Sequence, residues 1–132
     1  MDQSANKLAL VDPSNFNFNT ETFDTNVFQN EVQFNKLKIF EEFDNFISTL
    51  DKNKISFNIL ESPKNSPDSI YPNNWVVTFD DGTYDLFSMQ SPNRRLERSN
   101  SNINFLNTNY SLKNDLTEYE AKNFFLEGTG SL

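Results

Sequence analysis

The stretch from residue 75 to residue 89 constrains the fold of this chain more than any other. Residues 75–79 are β-branched and aromatic, Asp80-Asp81-Gly82 follows them, and residues 83–89 form a second candidate strand. An Asp-Gly pair in that position is typical of a tight β-hairpin, because glycine readily adopts the backbone conformations that short turns need. The sequence therefore predicts a hairpin near the middle of the chain.

Segments before the hairpin predict two strands separated by a helix. Residues 7–11 and 55–60 have the composition of short strands. Between them, residues 25–50 predict a helix with carboxylates on its solvent side, because apolar side chains recur every three to five residues. These side chains are Phe28, Val32, Leu37, Phe40, Phe43, Ile47 and Leu50.

After the hairpin, the sequence continues to alternate between candidate helices and candidate strands. Ser91-Pro92-Asn93 predicts a helix start with Asn93 as the cap, and the end of that helix is undefined within residues 99–104. Residues 110–112 or 115–116 are candidates for a strand, and residues 118–122 for a helical turn. Alternating strands and helices indicate an α/β fold, and no linker divides residues 1–132 into two domains.

Charge and hydropathy exclude several classes of partner. The net charge of −8 argues against binding to nucleic acid or to anionic membrane surfaces. No segment approaches the roughly 18 consecutive apolar residues of a membrane span, and the N-terminus lacks the pattern of a secretory signal. We therefore expect a cytoplasmic protein. Asparagine occurs 21 times, and we interpret these scattered copies as compositional bias.

The absence of cysteine and histidine restricts the chemistry that this sequence can perform. Without them the chain has no disulfide, no thiolate nucleophile, no zinc site of the usual kind and no imidazole base. We expect no metal and no cofactor. Any catalysis by these residues alone would depend on carboxylates, lysine, tyrosine or serine.

Three motifs resemble, in this order, those of the amidinohydrolase and amidinotransferase superfamily, the penteins. They are PDSIYPNNW at residues 67–75, PNRRLER at 92–98 and FLEGTGS at 125–131, and residues 1–31 also resemble the start of that family. The best resemblance is to dimethylarginine dimethylaminohydrolase-like, citrulline-utilisation hydrolases. It implies a five-bladed α/β propeller, of which this chain would form the N-terminal modules. The catalytic Cys and His of the family would lie beyond the residue where this sequence stops.

The resemblance assigns substrate contacts to Asp68, Asn73 and Asn74, which match the family's guanidino-binding positions. A planar guanidinium presents a fork of N–H donors that acidic or amide oxygens accept. Dimethylarginine hydrolases have carboxylates at the last two positions, where this sequence has amides. A carboxylate within 4 Å of a cation is attracted by up to about 4 kcal/mol at an effective dielectric constant near 20. The amides therefore disfavour methylarginine and leave arginine or an uncharged ureido amino acid open.

Arg94 and Glu127 complete the implied site. Arg94 matches the family residue that holds the substrate's α-carboxylate, a role that suits the fork of an arginine. Glu127 matches the acid that orients the catalytic His and contacts the guanidinium. Arg95 and Arg98 are expected at the surface or as partners of Glu97.

The last expectations from the resemblance concern two glycines and two positions at which this sequence differs from the family. Gly128 and Gly130 would let the backbone pass close to the ligand. Asp12 stands where the family often has arginine, and Gly130 stands where the dimethylarginine type has aspartate. Without the resemblance, Asn73-Asn74 would be a turn, the Arg pair either a solvated helix start or an anion site, and Glu127 part of a C-cap. Trp75 is expected in the core.

Two functions are consistent with these expectations. The first is the N-terminal part of a guanidino-group hydrolase for arginine, a methylated arginine or a ureido amino acid, inactive alone because Cys and His are missing. The second is a truncated, non-catalytic binding or interaction protein. The open strand edges of an incomplete propeller would favour self-association or pairing with a separate C-terminal half.

Overall fold

The computed structural model describes residues 5, 7–22 and 35–128, which form two small sheets with helices between their strands. In the first sheet, β1 (Lys7–Val11) pairs in parallel with β2 (Ser56–Leu60). Parallel neighbours need a long connection, and this one contains a 3-10 turn at Pro13–Asn15 and helix α1 (Lys36–Lys52). Both predicted strands are confirmed, the second from Ser56 onward.

Helix α1 confirms the second half of the predicted helix. The side chain of Asn35 caps it by accepting a hydrogen bond from the Lys38 N–H at 3.2 Å. The predicted apolar stripe is wrong at Leu37, which is 83% exposed, and at Phe40, which is 38% exposed. Leu37 precedes Phe43 by six residues, and this spacing turns it about 120° away around the helix. The covered side chains are Ile39, Phe43, Ile47 and Leu50. Residues 23–34, which include Phe28 and Val32, lie outside the described residues.

The predicted hairpin is confirmed as the centre of the second sheet, although its strands are shorter than expected. Strand β3 (Val76–Thr78) is antiparallel to β4 (Thr83–Leu86), and β4 is parallel to β5 (Ser111–Asp115). The Phe79 N–H donates to the Thr83 carbonyl at 2.9 Å, which leaves a three-residue loop. Gly82 ends this loop at a φ of +78°, a conformation that other residues rarely adopt.

Two helices, rather than one, connect β4 to β5. Helix α2 (Pro92–Arg95) is followed by α3 (Asn100–Asn109), which lies in the Asn- and Ser-rich stretch where the sequence defined no end. The prediction of Asn93 as the cap is wrong: Ser91 occupies the cap position and Asn93 lies inside α2. Proline has the φ of a first helical residue and lacks only an N–H that such a position cannot use, so Pro92 fixes the start.

The core lies where the hairpin packs against α3. It consists of Trp75, Tyr84, Leu86, Met89 and Leu106, and the prediction that Trp75 is a core residue is confirmed. The Tyr84 hydroxyl donates to the Asn107 side chain of α3 at 2.7 Å. A 3-10 helix at Thr117–Lys122 follows β5, as predicted. In the ranges that the structure describes, no helix is both long and apolar enough for a membrane span.

Leu106 and Leu96 provide a matched test of this core. Leu106 is 3% exposed and Leu96 is 47% exposed. We expect Leu106→Ala to lower the free energy of unfolding by about 2–5 kcal/mol, because it leaves a cavity, and Leu96→Ala by less than about 1 kcal/mol. Urea denaturation followed by tryptophan fluorescence measures both. Equal losses in the two variants would contradict this placement of the core.

Candidate functional site

Four of the five predicted site residues line one open cleft of about 340 Å³. They come from separate parts of the chain: Asp68 and Asn74 precede β3, Arg94 is in α2, and Glu127 lies near the end of the described residues. The full lining is Thr22, Asp68, Tyr71, Asn74, Gln90, Ser91, Arg94 and Glu127. Asn73 is not brought to this cleft. It lines a smaller, more apolar cavity of about 180 Å³ between the two sheets.

Asp68 is held by the loop that follows β1. Its Oδ2 accepts hydrogen bonds from the Asn19 side-chain amide at 2.6 Å and from the Thr22 hydroxyl at 3.2 Å. Asn19 is fully buried and exchanges side-chain amide hydrogen bonds with Asn93 of α2, at 2.7 and 3.3 Å. One asparagine therefore joins the N-terminal loop, the acid of the cleft and the helix that carries Arg94.

Arg94 forms a buried ion pair with Glu97. Arg94 is 6% exposed and Glu97 is 1% exposed. The Arg94 Nε donates to Glu97 Oε1 at 2.8 Å, and Nη2 donates to Oε2 at 3.4 Å. Nη2 also donates to the carbonyl of Tyr71 at 3.0 Å. These contacts fix the guanidinium in one orientation, with its remaining Nη1 near the cleft residue Glu127, whose Oε2 lies 4.0 Å away.

Burial raises the pKa of Glu97 to about 7, since a carboxylate loses its hydration in the interior. The hydrogen bonds and the charge of Arg94 act in the opposite direction, while the nearby negative charges of Asp68 and Glu127 raise the pKa further. Two further carboxylates therefore lie close enough to Glu97 to raise its pKa, against the single guanidinium of Arg94.

Glu127 is positioned by backbone contacts at the edge of the cleft. Its Oε1 accepts from the Gln90 N–H at 3.2 Å, and its Oε2 accepts from the Asn74 side chain at 3.4 Å. A Cβ on Gly128 would collide with the carbonyl oxygen of Asn73, so only glycine fits beside that backbone. Gly128 therefore permits a close approach to the protein's own chain, whereas the sequence predicted an approach to the ligand. Gly130 lies outside the described residues.

The expected partnership of Arg95 and Arg98 with Glu97 is wrong. Both arginines pair with Glu120 of the last 3-10 helix: Arg98 Nη2 lies 2.8 Å from its Oε1, and Arg95 Nε lies 3.4 Å from its Oε2. Arg94 takes Glu97 instead, because residues three apart on a helical turn lie side by side. The Glu120 cluster holds the segment before Glu127 against the end of the hairpin, where Met89 N–H also donates to Glu120 at 2.9 Å.

The sequence missed several residues of this site. Asn19, Tyr71 and Gln90 were not singled out, because their roles depend on chain segments far apart in the sequence. Glu97 carried a usable signal, its spacing of three residues from Arg94. The cleft is lined by acids, an amide and a guanidinium, and this combination suits a small ligand with both a cationic and an anionic group. Among the described residues, no three His, Cys, Asp or Glu side chains are grouped as metal ligands.

Solved structures with a similar fold include complexes with ornithine and with L-arginine. A ternary complex of AgrE with ornithine and NAD+ superposes with a TM-score of 0.67 at 15% identity, over 92% of this chain and 17% of that one. A complex of an AgrE mutant with L-arginine gives the same values. Apo ArgZ, an arginine dihydrolase from the ornithine-ammonia cycle in cyanobacteria, gives 0.68 at 12% identity, over 94% and 18%. The α/β prediction and its assignment to part of a pentein fold are confirmed.

The sequence itself matches the family described as N,N dimethylarginine dimethylhydrolase, eukaryotic, over residues 12–132. The chain belongs to this family, and the resemblance of its three motifs is confirmed. No curated protein matches the sequence. The chain spans less than a fifth of the length of the solved structures that share its fold.

The pKa of Glu97 predicts an unusual dependence of stability on pH. A raised pKa means that the folded state binds the proton more tightly than the unfolded state does. The contribution of Glu97 to stability is therefore fully present below its unfolded pKa and is lost as the pH rises toward 7. Relative to Glu97→Gln, we expect the wild-type chain to lose about 2 kcal/mol of unfolding free energy between pH 5 and pH 8.

Urea titrations at several pH values measure this difference. Glu120→Gln is the matched control, since it removes a carboxylate that also pairs with arginine but lies outside the cleft. A constant difference between wild type and Glu97→Gln across this pH range would contradict the raised pKa.

Proposed function

We propose that this chain supplies the substrate-holding part of a guanidino-group hydrolase that acts on arginine or a ureido amino acid. The observation that carries the proposal is the convergence of Asp68, Asn74, Arg94 and Glu127 on one cleft. The family and the fold support the class of reaction. The arginine and ornithine bound in AgrE support the class of ligand.

Each cleft residue has a role that its surroundings allow. Arg94 binds the α-carboxylate of the amino acid through Nη1, because Glu97 and Tyr71 already occupy Nε and Nη2. Asp68 and Asn74 accept hydrogen bonds from the guanidino or ureido group, and Glu127 contacts it from the other side. Asn73 does not line this cleft, and its carbonyl oxygen packs closely against Gly128, next to Glu127.

The covalent chemistry requires residues that this sequence does not contain. In the complete enzyme a Cys thiolate attacks the guanidino carbon, and a His positioned by Glu127 protonates the leaving amine. The chain has neither residue, so we propose that they come from the rest of the enzyme, on the same polypeptide or on another. Strand β5, whose five residues are all exposed, offers an edge on which further structure can pair.

Arg94 provides the first test of the proposed roles. We expect L-arginine and L-citrulline to shift amide NMR signals around the cleft of the labelled chain, without ammonia release. Arg94→Lys keeps a positive charge beside Glu97 but loses the several N–H donors of the guanidinium. The affinities for arginine and for citrulline should therefore both fall roughly tenfold. Arg95→Lys is the matched control and should change neither affinity, because Arg95 pairs with Glu120. Equal effects of the two variants, or turnover by this chain alone, would overturn the proposal.

The two adjacent asparagines test ligand preference. Asn74→Asp places a carboxylate in the cleft, where it attracts a guanidinium but not a neutral ureido group. We expect the affinity ratio of arginine to citrulline to rise roughly tenfold or more. Asn73→Asp is the control: residue 73 lines the other cavity, and the ratio should stay within about twofold of wild type. A larger rise for Asn73→Asp would assign the guanidino contact to residue 73.

A further inference from the structure

Two nitrogens of the Arg94 guanidinium donate to other groups of the protein, and the third, Nη1, is left for the cleft. Nε and Nη2 donate to the two carboxylate oxygens of Glu97, and Nη2 donates to the Tyr71 carbonyl as well. Within the described part of the chain, Nη1 has no hydrogen-bond acceptor, and Glu127 approaches it only to 4.0 Å. One end of a buried cation is therefore available to an anion in the cleft.

Glu97 is hydrogen-bonded to this cation, and two more carboxylates, Asp68 and Glu127, are near enough to act on Glu97. The charged groups that face Glu97 are Arg94 from its own helical turn, Asp68 from the loop before β3, and Glu127 from the C-terminal segment. A ligand carboxylate at Nη1 would be the fourth. Protonating the most deeply buried carboxylate relieves this crowding at the lowest cost, because burial already disfavours its charged form. Glu97 is that carboxylate, since it is 1% exposed.

We propose that Glu97 and the α-carboxylate of a bound amino acid share Arg94, and that Glu97 is a positioning residue that takes up a proton when the carboxylate binds. The proton comes from solvent and goes to a carboxylate oxygen of Glu97, and no covalent bond in the ligand changes. This inference rests on the proposed function of the cleft and adds its regulation. The ligand class is an amino acid with a free α-carboxylate.

The direction of the pH effect follows from linkage. If binding adds a proton to the protein, lowering the pH must strengthen binding, by at most tenfold per pH unit for one proton. Burial raises the pKa of Glu97 to about 7, so the effect should fall within the neutral range. The guanidinium of arginine keeps its charge between pH 6 and pH 8, and the comparison with a ligand that lacks the carboxylate isolates the contribution of that group.

The test compares arginine with agmatine, which has the same guanidinium but no carboxylate. We measure Kd for each by NMR titration of the full chain at pH 6, 7 and 8. For arginine we expect Kd to be roughly fivefold lower at pH 6 than at pH 8, and for agmatine no such decrease. Glu97→Gln should abolish the dependence for arginine, whereas Glu120→Gln, outside the cleft, should retain it.

A second measurement does not depend on any variant's folding. The carboxyl carbon of Glu97 is titrated by NMR in the wild-type chain, free and saturated with each ligand. We expect arginine to raise the pKa of Glu97 and agmatine not to raise it. Equal behaviour of the two ligands, or a pH-dependent Kd in Glu97→Gln, would overturn the inference alone. Failure of both ligands to bind at any pH would overturn the proposed function and the inference with it.

Discussion

The buried pair of Arg94 and Glu97 is the interaction on which the rest of the cleft depends. Moving two charges out of water costs several kcal/mol per ion, and the pair offsets this cost only where further hydrogen bonds complete it. Here Tyr71 supplies a carbonyl to Arg94, and the Asn102 side chain holds the backbone of Glu97 by donating to its main-chain carbonyl at 2.9 Å. The loop before β3, helix α2 and helix α3 are thus connected through the two residues of this ion pair. Loss of either partner would leave a buried charge, and the three segments would lose their common anchor.

Buried asparagines connect this anchor to the rest of the chain. Asn102 spans the end of β2, where its Oδ1 accepts from the Glu61 N–H at 2.9 Å and its Nδ2 donates to the Glu61 carbonyl at 3.0 Å. Asn19 makes the corresponding connection between Asp68 and Asn93. An amide can donate and accept at once, so it links backbone and carboxylate groups without adding charge to a site already rich in acids. At these positions asparagine has a structural role, and compositional bias alone does not explain it.

The sequence-based predictions are accurate where the interacting residues are close together in the sequence, and they fail where those residues are far apart. The hairpin and β1 were predicted because their signals are local, an Asp-Gly turn and short β-branched runs. Helix α3 was not, because its Asn- and Ser-rich sequence has weak helix propensity and forms through Leu106 in the core. The resemblance selected four residues that share the cleft. It also selected Asn73, which lines the other cavity although it is the neighbour of Asn74 in the sequence. Glu120, the partner of Arg95 and Arg98, lies more than twenty residues further along the chain, and the spacing rules for helices do not apply over that distance.

The charges around the cleft bear on the net charge of the ligand that we propose for it. Asp68, Glu97 and Glu127 carry three negative charges against the single positive charge of Arg94 when all are ionised. A ligand with two cationic groups and one carboxylate, such as arginine, brings one net positive charge and reduces the excess. A ureido amino acid brings none, so the whole excess remains when it binds. Under the proposed function, protonation of Glu97 offsets the negative charge that the α-carboxylate of either ligand adds beside Arg94. The uncharged amide of Asn74 discriminates between the two ligands less than a carboxylate would.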